Sequence, residues 1–249
     1  MKNWTIKLFL AVFCFVFLTG TALAGEIKIS VAASLTDAVT DISKEFTKKN
    51  PGVSFQRNFA SSGALAKQIA NGAPCDVYFS ANVEWMDFLK EKNLVDARYV
   101  STFAFNEVVF VGKPGLKVSG MQDVVKLGKV AIGSPKSVPA GQYAMEAIKS
   151  AGLEKQLEKK LVMARDVREC LMYAERGEVD GSFVYKTDAM MAKNVKILFA
   201  VPQNYYSRVT YPVALTAAGS KNAEAVAFYN FLKTADVKKI LAKYGFAVK

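Results

Sequence analysis

The sequence predicts an α/β protein of two lobes, each built on a mostly parallel sheet flanked by helices. Strand and helix patterns alternate along almost the whole chain, and several strand patterns run directly into a turn of small residues and a helix start. Such alternation is typical of parallel sheets covered by helices. The 249 residues contain no fixed-period repeat and no long polar linker, and so many strands divide more naturally between two sheets than one.

The first residues predict a cleaved secretion signal. Lys2 and Lys7 give a basic start, residues 8–18 form an almost unbroken apolar run, and the Ala-Leu-Ala at 22–24 fits a signal-peptidase site. A membrane anchor is the alternative, but the apolar run is shorter than the roughly 20 residues that a spanning helix needs. We therefore expect residues 1–24 to be a signal peptide. No Cys follows the cleavage site, so we expect no lipid anchor.

Composition argues against several classes of function. The formal charge is +11, or +9 without the two Lys of the leader. The basic residues are spread along predicted helices among acidic ones, so we interpret them as solvated helix faces that also attract anions, and we expect no nucleic-acid partner. The chain contains no His, which removes Ser-His-Asp catalysis and the commonest zinc ligand. Cys75 and Cys170 lack metal-ligand spacing, and the sequence leaves open whether they pair.

After the predicted signal peptide, the first predicted strand and helix lie around residues 27–37. An apolar strand leads into Ala32 and Ala33, and Ser34 with Asp37 fits a capping box, which predicts a helix to residue 49. Farther along, apolar patterns predict strands at 53–59, 77–80 and 108–111 and helices at 63–70 and 83–92.

The second half repeats this alternation. Asp166, with Glu169 three residues later, predicts the start of a helix over 167–176. The other patterns predict strands at 129–132, 161–164, 181–185, 195–199 and 209–215, a helix at 140–150 and paired helices between 222 and 244.

Two strands are the best candidates for the points where the chain crosses between lobes, at 107–111 and 209–215. On that interpretation residues 26–105 plus 208–249 form lobe I, and residues 106–207 form lobe II.

Four strand-to-helix turns offer unpaired backbone N–H groups, and such helix starts carry about +0.5 charge. Each turn alone fits ordinary helix capping. Ligands in open α/β sheets sit outside the carboxyl ends of strands, so convergence of the turns would create an anion site. The turns lie at 33–35, 59–64, 137–141 and 165–168.

These turns also carry a family resemblance that spans nearly the whole mature chain. The sequence resembles the periplasmic molybdate-binding proteins, the soluble receptors of molybdate ABC importers. The matching segments are VAASLTDAV, FASSGALAKQIANGAPCDVYFSAN, SVPAGQYA, DVRECL, SFVYKTDA, TYPVAL and KYGF. The resemblance implies a periplasmic-binding-protein fold whose two lobes, hinged on two crossing strands, close over a tetrahedral oxyanion.

The resemblance also implies a set of neutral donors. The hydroxyls of Ser34 and Ser62 would donate from lobe I, the N–H groups of Ala140 and Val167 from lobe II, and the Tyr185 phenol would complete the shell. Molybdenum would be held only through these oxyanion contacts, with no direct cation ligand and no cofactor. Since molybdate is a fully deprotonated dianion at neutral pH, donors alone suit it.

Two departures and two carboxylates bear on this assignment. Cys75 stands where relatives have Ala, and Gly63 stands where they have a third Ser, but neither replaces an assigned donor. Asp37 and Asp166 are the nearest carboxylates in sequence, and we expect both to cap their own helices, away from an anion.

Other functions compete less well. An enzyme could use Ser34, Ser62 or Cys75 as a nucleophile, but the chain has no Ser-x-x-Lys or Gly-x-Ser-x-Gly motif, so we expect no catalysis. Tungstate and sulfate are alternative dianions, and tungstate is nearly the size of molybdate. We expect a periplasmic monomer that delivers its anion to a membrane permease with its ATPase.

Overall fold

The computed structural model describes residues 25–248. The predicted signal peptide lies outside these residues. Within the described part of the chain, no helix combines the length and the apolar character needed to cross a membrane.

Ten strands and ten helices follow one another in the described chain. The strands are Glu26–Ala32 (β1), Ser54–Ala60 (β2), Val77–Phe79 (β3), Val95–Phe105 (β4), Val108–Gly112 (β5), Val130–Gly133 (β6), Leu161–Ala164 (β7), Gly181–Tyr185 (β8), Lys196–Ala200 (β9) and Thr210–Thr216 (β10). The helices are Thr36–Lys49 (α1), Ser62–Ala70 (α2), Val83–Glu91 (α3), Met121–Val124 (α4), Pro139–Ser150 (α5), Glu154–Leu157 (α6), Val167–Arg176 (α7), Lys186–Ala189 (α8), Ala223–Phe231 (α9) and Ala235–Lys243 (α10).

The strands form two five-stranded sheets, as the predicted fold class requires. The order is β2-β1-β3-β10-β4 in the first sheet and β7-β6-β8-β5-β9 in the second. In each sheet only the fourth strand, β10 or β5, runs against the others. The sheets are therefore mostly parallel, and they share one arrangement.

The chain passes from one sheet to the other twice. Phe105 ends β4 in the first sheet and Val108 begins β5 in the second, while Ala200 ends β9 and Thr210 returns the chain to the first sheet in β10. We call the first sheet with its helices lobe I and the second sheet with its helices lobe II. The exact lobe boundaries given above stay a prediction.

Register brings two of the helix starts together. Strand β1 pairs with β2 in parallel from Glu26 opposite Ser54 to Ala32 opposite Ala60. Ser34 and Ser62 each stand two residues beyond these paired ends. The parallel register therefore places both serines at the same edge of the first sheet.

Apolar periodicity explains how the helices attach to the sheets. In α7 the buried residues are Val167, Cys170, Leu171 and Ala174, which follow the i, i+3, i+4, i+7 spacing of one helix face. The helix then ends at Gly177, whose φ of 72° is the left-handed conformation that favours glycine at a helix end.

Both cysteines of the described chain are buried free thiols, Cys75 in lobe I and Cys170 in lobe II. Burial raises the pKa of the Cys75 thiol to about 12, so it stays protonated at neutral pH. A thiol in this state is a poor nucleophile, which removes Cys75 from the enzyme alternative.

Candidate functional site

A small cavity lies between the two lobes, where the carboxyl ends of three parallel strands from each sheet face one another. Ligands in open α/β sheets occupy this kind of position. The lining residues are Ala32, Ala33, Ser34, Ser61, Ser62, Ala81, Val138, Pro139, Ala140, Asp166, Val167 and Tyr185.

All five residues proposed from the sequence line this one cavity. Ser34, Ser62, Ala140, Val167 and Tyr185 are each buried, with 4% or less of their surface exposed. Parts of the chain separated by more than 150 positions therefore meet at one point. That these residues hold an anion is a proposal.

Ser34 does not cap a helix, so the predicted capping box with Asp37 is wrong. Residues 33–35 form a 3-10 turn, and α1 begins only at Thr36, without a side-chain cap. The Ser34 hydroxyl lies 3.0 Å from the Tyr211 hydroxyl instead. The tight turn aims Ser34 away from the α1 amides and towards the cavity and β10.

Ser62 is the first residue of α2, and its hydroxyl is held by a neighbouring turn. The backbone N–H of Ala81 donates to Ser62 Oγ at 2.9 Å, and the Tyr78 hydroxyl donates to the Ser62 carbonyl at 2.9 Å. Because Ser62 Oγ already accepts a hydrogen bond, its own proton is free to point into the cavity.

Lobe II presents the starts of α5 and α7. Pro139 occupies the first turn of α5, where its missing N–H costs nothing, and the amide of Ala140 follows it. Val167 is the first residue of α7. Among the described residues, none accepts a hydrogen bond from the Ala140 or Val167 amide. Both N–H groups remain available to an anion.

Tyr185 ends β8, and its hydroxyl is a buried polar atom without a partner in the described part of the chain. Burial raises the pKa of this hydroxyl well above its ordinary value, so it keeps its proton. Since nearly all buried polar groups are hydrogen-bonded, this hydroxyl marks a place for a ligand atom.

The two carboxylates near the cavity behave differently. Asp166 caps α7 as expected, because its Oδ1 accepts from the Glu169 N–H at 3.0 Å. Asp37 does not cap α1, which corrects the expectation. Its Oδ2 lies 2.8 Å from Arg168 Nη2, so the carboxylate is drawn to a cation in lobe II.

Arg168 also faces a buried carboxylate of its own lobe. Its Nε lies 2.5 Å from Asp188 Oδ1, and Asp188 is completely buried. Burial raises the pKa of Asp188 to about 6 against the opposing effect of the Arg168 charge. The guanidinium thus stands between one carboxylate from each lobe.

Sequence reasoning missed Tyr211, Asn106 and Arg168, which support the cavity without lining it. Ser34 and Tyr211 are 177 positions apart, and Asn106 and Tyr211 are 105 positions apart. The segments TYPVAL and DVRECL contain two of these residues, but no spacing signal connects them to the serines.

Most of the polar groups that face the cavity are hydrogen-bond donors. Two serine hydroxyls, one phenol and two free amides converge on it. Among residues 25–248, no group of three or more Cys, Asp or Glu side chains is placed to hold a metal ion. The arrangement suits a small anion with several acceptor oxygens.

Known proteins resemble this chain over most of its length. The molybdate-binding protein ModA of Escherichia coli is 40% identical over 243 residues, covering 92% of this chain and 93% of the relative. ModA of Haemophilus influenzae is 34% identical over 239 residues, covering 92% and 94%. The structure of the Azotobacter vinelandii periplasmic molybdate-binding protein matches with a TM-score of 0.81 over 90% of this chain and 99% of the other.

At 24% identity, the Azotobacter structure speaks for the fold alone. A family model described as bacterial extracellular solute-binding protein matches residues 27–247. With the identity to the E. coli relative, this match decides the family. The chain belongs to the bacterial extracellular solute-binding proteins.

Proposed function

We propose that this protein captures molybdate between its two lobes and delivers it to an ABC importer. Its family consists of solute-binding proteins, which are not enzymes. The observation that carries the proposal is the buried Tyr185 hydroxyl, which lacks a protein partner in the described chain and faces the cavity with the Ser34 and Ser62 hydroxyls.

Donor chemistry supports an anion that carries no proton. Ser34, Ser62, Ala140, Val167 and Tyr185 would each give one hydrogen bond, and none of these donors bears a full charge. Hydrogen bonds to a charged group contribute about 1.5–3 kcal/mol each. A handful of them, less the entropy of binding, reaches the roughly −12 kcal/mol of nanomolar affinity.

The choice of anion rests on the relatives. Two curated relatives that cover most of the chain are named molybdate-binding proteins. Tungstate has the same charge and nearly the same size, so we propose that it binds as well. Sulfate is the alternative ligand, since it is a smaller dianion that also needs only donors.

The proposed setting follows from the same family. We infer that the leader of residues 1–24 directs the chain to the periplasm without a lipid anchor, and that a permease with its ATPase receives the anion. We propose a monomer, because a two-lobed receptor encloses its ligand within one chain.

The test is a titration of the mature protein with molybdate, tungstate, sulfate and phosphate, read by calorimetry and by thermal unfolding. Micromolar molybdate or tungstate should raise the melting temperature markedly, as binding to the native state must. Sulfate and phosphate should raise it much less. An unchanged melting curve at saturating molybdate would overturn the proposal, and a response to sulfate alone would favour the alternative.

A further inference from the structure

We propose that Asn106 and Tyr211 fix the direction of the Ser34 hydroxyl, so that Ser34 only donates to the bound anion and anions that carry a proton are disfavoured. This inference rests on the proposed function. It makes Asn106 and Tyr211 positioning residues, which act on the ligand through Ser34.

The side-chain amide of Asn106 determines which group donates in the hydrogen bond to Tyr211. It is buried in the segment between β4 and β5, and the Glu107 backbone N–H donates to its Oδ1 at 2.9 Å. A backbone N–H can only donate, so it identifies the oxygen side of the amide. The Nδ2 group then donates to Thr187 Oγ1 at 2.9 Å and to the Tyr211 hydroxyl at 3.2 Å.

Tyr211 connects Asn106 to Ser34 through its hydroxyl group. Its side chain is fully buried, and its hydroxyl oxygen accepts from Asn106 and lies 3.0 Å from Ser34 Oγ. Because Asn106 fills the acceptor side, the single phenol proton goes to Ser34 Oγ. Burial also raises the pKa of the Tyr211 hydroxyl well above its ordinary value, so this proton is retained at neutral pH.

Ser34 therefore presents its own proton to the cavity. Ser62 reaches the same state by another route, because its Oγ accepts from the Ala81 N–H, which also can only donate. Each serine therefore keeps its own proton for the cavity, although the supporting partners differ. We name the chain of hydrogen bonds from Asn106 through Tyr211 to Ser34 the hydroxyl relay.

The hydroxyl relay bears on which anions the cavity accepts. Molybdate and sulfate have only acceptor oxygens, whereas hydrogen phosphate keeps one proton that needs an acceptor. Asp166 is the one carboxylate lining the cavity, and its Oδ1 is already used as the cap of α7. If the Ser34 hydroxyl turned to offer hydrogen phosphate its second lone pair, its own proton would lose its acceptor, because Tyr211 donates to Ser34 in the relay. The relay therefore makes that turn unfavourable.

The first variant is Tyr211→Phe, tested by competition titrations with molybdate, sulfate and phosphate at about pH 8, where phosphate is mainly hydrogen phosphate. Affinity for molybdate and for sulfate should fall together, by about threefold to tenfold. Affinity for hydrogen phosphate should hold or rise, so the ratio of phosphate affinity to sulfate affinity should shift by about threefold or more towards phosphate.

The matched control is Tyr229→Phe. The Tyr229 hydroxyl donates to Ser101 Oγ at 2.9 Å within lobe I, so the variant removes a partly buried tyrosine-to-serine hydrogen bond away from the cavity. We expect the control to leave all three affinities unchanged. Thermal unfolding of each ligand-free variant verifies that it folds.

A second variant, Asn106→Asp, keeps the shape of the side chain and removes its donor. Tyr211 would then donate to the new carboxylate and Ser34 would donate to Tyr211, which turns a Ser34 lone pair towards the cavity. The added negative charge weakens the binding of every dianion, so the ratio of phosphate to sulfate affinity is the readout. It should shift towards phosphate, as in Tyr211→Phe.

The outcomes separate the two proposals. Binding of molybdate by the wild type, with an unchanged phosphate-to-sulfate ratio in both variants, overturns the hydroxyl relay alone. A wild-type protein that binds none of the three anions overturns the proposed function and the relay with it.

Discussion

At the scale of single residues, two hydroxyls of the cavity differ in their ties to the protein. Ser62 Oγ accepts from the Ala81 N–H at 2.9 Å, so it serves the fold as well as the cavity. The Tyr185 hydroxyl is buried and has no partner among the described residues. A buried polar group left without a partner costs about 1–3 kcal/mol. The protein tolerates this cost at the position where a ligand oxygen would remove it.

We therefore predict that Tyr185→Phe weakens molybdate binding by about tenfold to a hundredfold, the value of one hydrogen bond to a charged group. The ligand-free protein should unfold at the same temperature as the wild type or at a higher one, because no protein hydrogen bond is lost. Calorimetric titration and thermal unfolding measure the two effects.

Ser62→Ala is the matched comparison, and it should lower both quantities. Molybdate affinity should fall by a similar factor, and the free energy of unfolding should fall by about 1–3 kcal/mol because the Ala81 N–H loses its acceptor. A Tyr185→Phe protein with full affinity, or with the stability loss of Ser62→Ala, would contradict the assignment.

At the scale of secondary-structure elements, the amides of the cavity are positioned by how closely the helices approach the strands. Helix α5 comes so near the end of β6 that a Cβ on Gly141 would lie 1.7 Å from the Gly133 carbonyl oxygen. No side chain fits there. The glycine lets α5 rest on the strand, which fixes the Ala140 amide one residue earlier at the cavity wall.

We predict that Gly141→Ala pushes α5 away from β6. The free energy of unfolding should fall by about 2 kcal/mol or more, since the contact is with backbone that cannot turn aside. Molybdate affinity should fall as well, because the Ala140 amide moves with the helix. Denaturant unfolding and calorimetry measure both.

Gly120→Ala is the control for this substitution. Gly120 precedes α4 with an extended φ of −173°, and a Cβ there would meet nothing within 4 Å. Its stability should stay within about 0.5 kcal/mol of the wild type. Equal unfolding curves for the two alanine variants would contradict the close approach of α5 to β6 at Gly141.

At the scale of the whole molecule, the two lobes contact each other around the cavity. The Gly63 N–H donates to the Ser137 carbonyl at 2.9 Å, and Asn82 Nδ2 donates to Gln142 Oε1 at 3.0 Å. The ion pair of Arg168 with Asp37, at 2.8 Å, is a third contact between lobes. These contacts hold the two lobes together around the cavity.

We predict that Asp37→Asn speeds the release of molybdate by about twofold to fivefold, because a partly exposed ion pair contributes at most about 1 kcal/mol. The difference from the wild type should shrink at high ionic strength, which screens the pair. Stopped-flow dissociation at low and high salt provides the measurement.

Asp41→Asn is the control on the same helix. The Asp41 carboxylate accepts from the Tyr244 hydroxyl at 2.6 Å and pairs with Lys243, both in lobe I. We expect its release rate to match that of the wild type. Equal rates for Asp37→Asn and Asp41→Asn would show that the pair with Arg168 does not hold the lobes together.

Helices and strands with a clear cap or apolar periodicity in the sequence were predictable. Elements without such a pattern were not. The range 167–176 of α7 was predicted at both ends, because Asp166 caps it and its apolar residues recur at helical spacing. Strand β4 was missed. It lies at the edge of the first sheet with exposed positions in its middle, so it has no alternating pattern. The one-turn helices α4, α6 and α8 are too short to show periodicity.

The sequence by itself determined, to within a few residues, where the longer helices begin after strands, and thereby which serines and amides could face a ligand. Only the tertiary structure decided what those groups contact: Ser34 meets Tyr211 from 177 positions away, and Asp37 meets Arg168 of the other lobe from 131 positions away. Helix starts depend on neighbouring residues, and sequence shows those directly. Hydrogen bonds between distant residues depend on sheet order and on how the lobes close, which the fold sets only as a whole.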